Sequence, residues 1–113
     1  MYQTKLDTSA LPWSPTGWSG VSMKLLQQVE SSGGGMIGMM RMEAASSIPA
    51  HSHTHADQAV LVIEGDLIEE GVTYGPGSFL LAKAGTPHGP HSSSGGCVLL
   101  STYFGKPDFV PVG

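Results

Sequence analysis

The chain has 113 residues, 40% of them hydrophobic and only 12% charged, with a formal net charge of −4. One domain with a single modest core is expected, burying roughly 65% of the surface that the unfolded chain exposes. Five Lys and Arg in total, without a cluster, exclude a nucleic-acid footprint and an electrostatic hold on a membrane surface, and no apolar run nears the roughly 20 residues that span a bilayer.

Residues 1–20 read as an irregular N-terminal arm, broken by Pro12, Pro15, Gly17 and Gly20, ahead of an all-β sandwich or barrel over 21–113. The first residues, MYQTKLDTSALPW, hold no apolar h-region, so no secretory signal is expected. A single cysteine, Cys97, leaves no intramolecular disulfide, which together with the missing signal implies a cytoplasmic location. Trp13 and Trp18 lie in the arm, and such large apolar rings are expected to pack on the barrel or on a partner subunit. A homodimer is expected, because so weakly charged a surface and an edge strand both need covering.

VSMKLLQQVE (21–30) suits a strand or a short helix; the SSGGG turn behind it and the alternation in MIGMMRME (36–43) favour a strand. In that second run Gly38, Met40 and Met42 share one face, and Met39, Arg41 and Glu43 the wetter one. AVLVIEG (59–65), rich in Val and Ile, reads as a buried strand. DLIEEGVTYGPG (66–77) holds short pieces between turns, with Glu64, Asp66, Glu69 and Glu70 expected in solvent. SFLLAKAGTPH (78–88) is a strand running into a turn. CVLLSTYF (97–104) is another strand, with Cys97 as a small buried hydrophobe. No run makes a helix of ten or more residues, and the sum is an all-β domain of seven or eight short strands.

Between these elements stands PAHSHTHADQ (49–58). Alternate side chains of a strand share a face, so His51, His53 and His55 can point the same way, and imidazoles two apart can reach one cation at ~2.1 Å. An isolated H-x-H is more often a polar surface strand. Here a second patch, His88 and His91 in AGTPHGPHS, supplies a third imidazole from a turn, which makes a three-point metal cradle. Asp57 and Gln58 lie where the strand bends and can return an oxygen ligand. Nothing in the chain matches a G-x-S-x-G elbow, a P-loop or a dinucleotide fingerprint.

These residues resemble the cupin superfamily, whose first motif runs G-x5-H-x-H-x3/4-E-x6-G and whose second runs G-x5-P-x-G-x2-H-x3-N. His51-x-His53, four residues, Gln58, six residues and Gly65 fit the first, with Gln for Glu and Ala45 for the leading Gly. Gly77, five residues, Lys83-x-Gly85, two residues and His88 fit the second, with Lys for Pro and Ser92 for the final Asn. A register on His53 and His55 leaves Gln58 too close, and Pro49-x-His51-x-His53 matches the way that many cupins open the motif. From Leu11 to Phe104 the pattern is similar to a subgroup that includes anti-sigma-factor cupin domains and the acetylacetone and dihydroxyacetophenone dioxygenases.

The resemblance implies a jelly-roll β-barrel with one divalent transition metal (Fe, Zn, Ni or Mn) held by His51, His53 and His88, with Gln58 at the fourth position. His55, His91, Met40, Met42 and Tyr103 are then expected to orient the ligands or to line a substrate pocket. It implies a small metal-dependent enzyme, above all a non-haem iron dioxygenase on an enolisable carbonyl substrate. A zinc-binding sensor without turnover and a metal-dependent isomerase or lyase stand beside it.

Overall fold

The computed structural model describes residues 1–112; Gly113, the last position of the predicted barrel span, lies outside the described residues. Twelve strands follow one another: β1 (Ser14–Pro15), β2 (Val21–Val29), β3 (Gly35–Met42), β4 (Ser47–Ile48), β5 (His51–Ser52), β6 (Asp57–Gly65), β7 (Leu67–Glu69), β8 (Val72–Tyr74), β9 (Phe79–Ala82), β10 (His91–Ser92), β11 (Cys97–Phe104) and β12 (Val110–Pro111). Among the described residues only two short 3-10 turns, Thr8–Ala10 and Glu30–Ser32, interrupt them. The count exceeds the seven or eight predicted because several pairings are only two residues long. Single-sequence alternation cannot register a pattern that short.

Three sheets form: β1-β2-β3-β11-β6-β9, β4-β10-β7-β8, and the pair β12-β5. All the pairings are antiparallel, as a jelly roll requires. VSMKLLQQV is a strand because it pairs along β3, with a bulge between Leu25 and Gln27 where its alternation slips. Met42 stands opposite Val21 on one side and Cys97 on the other, and Met40 opposite Met23 and Leu99. That register turns Met40 and Met42 inward and leaves Arg41 outside, as the sequence alternation predicts.

The core cluster takes Val21, Met42, Val62, Cys97 and Leu99 from the large sheet and Ile48 and Leu67 from the smaller one. Burial of these side chains, at about 25 cal/mol per Å² of apolar surface, is what holds the two layers together. Outside, the arm lies on its own barrel. The Lys24 ammonium sits 4.4 Å from the Trp13 ring centre and donates to the Thr8 carbonyl at 2.8 Å, and Arg41 stacks on the same ring at 4.7 Å. Lys24 is thereby 93% covered while keeping its charge partnered by a carbonyl and a π-face.

Gly65 ends β6 with φ +80°, where an added Cβ would lie 2.0 Å from the Gly96 carbonyl oxygen. Gly71 has a similar φ, +78°, and open space around it. Gly71→Ala should therefore cost only the left-handed backbone penalty of about 1 kcal/mol. Gly65→Ala should cost clearly more, about 3 kcal/mol, and chemical denaturation of the two variants measures the difference.

Candidate metal centre

β5 is two residues long and carries His51. Its backbone is bridged to the second histidine patch: the His51 N–H donates to the His88 carbonyl at 3.0 Å, and the His88 N–H to the His51 carbonyl at 2.9 Å. One step further, Gly85 N–H donates to the His53 carbonyl at 2.7 Å. These bonds bring together two segments more than thirty residues apart. The rings follow, with centres 4.8 Å apart for His51 and His53, 4.5 Å for His51 and His88, and 5.1 Å for His53 and His88. One nitrogen from each lies within 4.8 Å of the others, so a single ion can be held among them.

The outer nitrogens explain which atoms face inward. His51 Nδ1 is 2.8 Å from the Pro49 carbonyl, His53 Nδ1 bonds the Asp108 carbonyl, and His88 Nδ1 is 3.3 Å from the Thr86 carbonyl. A carbonyl only accepts, so each Nδ1 carries a proton, and neutral His51 and His88 then keep a lone pair on Nε2. His88 Nε2 is buried and has no hydrogen-bond partner. His53 Nε2 faces the Gln58 amide oxygen at 3.1 Å, while the Gln58 amide nitrogen donates to Ser101 Oγ at 2.8 Å. Lone pairs turned toward one another in a buried site, His51 being only 4% exposed and His53 5%, are what a cation between them would satisfy. The residues therefore fit a divalent metal.

The histidines close the polar end of a cavity of about 460 Å³. Met23, Met40, Met42, Val60, Leu80 and Leu99 form much of its apolar wall. Tyr103 stands edge-on to His53, ring centres 5.1 Å apart, and burial pushes its hydroxyl pKa up. His91 lines the same cavity, with Nδ1 bonded to the Glu69 carboxylate. His55 is exposed and outside the lining, because the chain leaves strand geometry after Ser52 and turns at Thr54 and His55. The alternation that would set it beside His53 stops there.

Four contributors escaped the sequence reading. Glu69, expected in solvent, is only 14% exposed at its side chain beside His91. Trp18 faces the cavity and packs on Phe109 at 5.1 Å, Phe109 stacks on His51 at 4.4 Å, and Asp108 supplies the carbonyl to His53. No spacing rule signals them, since each is tied to the histidines through tertiary contact alone.

The family model described as the ChrR cupin-like domain matches residues 2–105. No curated protein sequence matches the chain. Among solved structures, an RmlC-like cupin protein from Ralstonia eutropha is 20% identical over 100% of this chain and 80% of its own, with TM-score 0.78. A protein described as a putative acetylacetone dioxygenase from Methylibium petroleiphilum is 17% identical over 100% of this chain and 88% of its own, TM-score 0.79. The Rhodobacter sphaeroides complex of SigE with the anti-sigma ChrR is 21% identical over 85% of this chain and 50% of that one, TM-score 0.69. At these identities the likeness is one of fold.

Burial holds His88 down to about 4 and lowers His51 as well, since an imidazolium is penalised away from water; neighbouring imidazoles add to both effects. The unfolded chain takes up these protons near the ordinary value of 6.5, while folded His88 does so only near 4. The unfolded state thus binds more protons between those limits, and stability falls as pH falls. Thermal melts of the metal-free protein should show a level Tm above pH 6.5 and a steady decline from there to pH 4. His88→Gln should flatten that decline.

Proposed function

The chain belongs to the ChrR cupin-like family, and from that footing we propose that it is a metal-dependent enzyme, a non-haem iron dioxygenase acting on an enolisable carbonyl compound with an apolar body. The observation that carries this reading is the set of three imidazoles and an amide at the polar end of an apolar cavity. His51, His53 and His88 are the ligands in this reading, and the Gln58 amide oxygen takes the fourth position. Neutral donors leave a divalent ion its full +2 charge, where a carboxylate at position 58 would leave +1.

A divalent ion here supplies Lewis acidity toward an enolate, and iron adds the redox chemistry that cleavage by O₂ needs. The chain's own residues do the rest. Met23, Met40, Met42 and Leu99 surround the apolar part of the substrate and exclude water. Methionine adapts to varied shapes, which suits a cavity defined by volume more than by polar contacts. His91, its Nδ1 proton held by Glu69, offers Nε2 as an acceptor for a substrate hydroxyl. A zinc-binding sensor is the second reading, favoured by the likeness to the ChrR complex. A metal-dependent isomerase or lyase would use the same ligands.

Elemental analysis of purified protein, then O₂ uptake by the iron-loaded form with a panel of β-diketones, separates these readings. Substrate-dependent uptake that vanishes in His53→Ala is expected. Retained zinc and no uptake with any diketone would leave the sensor.

We read the protein as a homodimer in a cytoplasmic setting. Leu61, Ile63, Phe79 and Leu81 are exposed on the outer side of β6 and β9, and β9 is the edge of its sheet. A second copy suits this face, since two uncharged strips related by a two-fold axis meet without repulsion despite the chain's net charge. The arm's tryptophans are engaged on their own barrel, which leaves the sheet as the interface. Ile63→Lys with Phe79→Lys should halve the mass seen in analytical ultracentrifugation; a wild type already monomeric would end the proposal.

A further inference from the structure

The family match ends at residue 105, and the segment from Pro107 to Val112 folds back over the histidine cluster. Gly105 starts this return at φ +142°, so close to the first histidine patch that an added Cβ would lie 2.4 Å from the His55 carbonyl oxygen. Asp108 then clamps the segment: its carboxylate accepts the Thr54 N–H at 2.6 Å and the Thr54 hydroxyl at 2.5 Å. The same residue's carbonyl accepts the His53 Nδ1 proton. Phe109 stacks on the His51 ring, centres 4.4 Å apart and planes 28° apart, and packs against Trp18 on its other flank. Val110 and Pro111 pair with Ser52 and His51, and Val112 N–H donates to the Ala50 carbonyl at 3.3 Å.

β5 has no place in either large sheet; β12 is its strand partner, and the rest of its support is the bridge to His88. A two-residue strand with so little pairing would be a mobile loop without that segment. Both histidines of the H-x-H run are therefore held by residues that follow the matched family region. His53 is held through its Nδ1 proton, and His51 through ring stacking and backbone pairing.

We propose that Pro107–Val112 is a strap that orients the His51 and His53 ligands, with Asp108 as its positioning residue. The Asp108 carboxylate, anchored on Thr54, sets where its carbonyl stands, and the carbonyl in turn sets the tautomer and tilt of His53. Carbonyl or carboxylate partners of metal-bound histidines commonly govern affinity by about 10–100-fold. The proposal rests on the reading of these histidines as metal ligands.

The probe is Co²⁺ itself, titrated into metal-free protein and followed by its visible d–d absorption. Wild type should bind and give a defined spectrum. Asp108→Ala should bind about 10–100-fold more weakly with an altered spectrum, while Asp108→Asn, which keeps an oxygen for the Thr54 N–H, should lie close to wild type. Thr54→Val removes one of the two anchoring bonds from the opposite side and should fall between them. It serves as the second variant if Asp108→Ala does not melt cooperatively. Cobalt affinity and spectrum unchanged in Asp108→Ala, or in Thr54→Val where the first variant is unfolded, overturn the strap while leaving the metal centre standing. A folded wild type that binds no Co²⁺ overturns the metal centre, and the strap's role with it.

Discussion

Three imidazoles, two buried and one half-buried, turn one nitrogen each toward a common point. Left alone, that arrangement is unfavourable, because an unpaired buried acceptor loses water and gains nothing. The protein sustains it by giving each ring's other nitrogen a backbone carbonyl: Pro49 for His51, Asp108 for His53 and Thr86 for His88. Those carbonyls lie on three different connecting segments, so the geometry of the centre depends on loops that the sheets hold in register. Burial adds the second half of the constraint by disfavouring the protonated forms of His51 and His88.

The large sheet holds Gln58 beside the histidines with little freedom. Gln58 stands in β6 opposite Tyr103 of β11 and Ala82 of β9, and its amide is tied to Ser101 on the neighbouring strand. A long polar side chain with a partner on either side is ordered before any ligand arrives, which reduces the entropy lost on binding. The smaller sheet is steadied by a residue that composition alone would leave in solvent. Asp66 accepts the N–H groups of Ser94 and Gly95 at 2.9 Å each and the Ser94 hydroxyl at 2.8 Å. These bonds hold its carboxyl below the ordinary range. They fix the turn between β10, which carries His91, and β11, which carries Ser101 and Tyr103.

The cavity wall and the histidine rim follow different design rules. Methionine and aliphatic side chains from β2, β3, β6, β9 and β11 define volume and dryness without directional contacts. The rim is entirely directional. A ligand suited to both has a polar head and an apolar body, and relatives of this fold can differ in substrate by changing the wall while keeping the rim.

Strand identity in the long runs was legible in the sequence: alternation marks MIGMMRM, and β-favouring residues mark AVLVIEG and CVLLSTYF, although AVLVIEG, read as buried, leaves Leu61 and Ile63 exposed. So was the H-x-H pair with His88, since the pair is a local pattern and Gly77 and Gly85 bracket the strand that runs into His88. Beyond that reach lay His55, which chain alternation assigned to the cluster and a bend at Thr54 turned out to the surface. Glu69, Asp108 and Phe109 also lay beyond it. Chain order carries no trace of a carboxylate meeting a histidine 22 residues away, or of a carbonyl reaching an imidazole 55 residues back. The sequence by itself determined which residue types can take a metal and which runs are strands. Only the folded chain decided which nitrogens face inward, because that depends on backbone carbonyls whose positions exist only once distant turns have packed together.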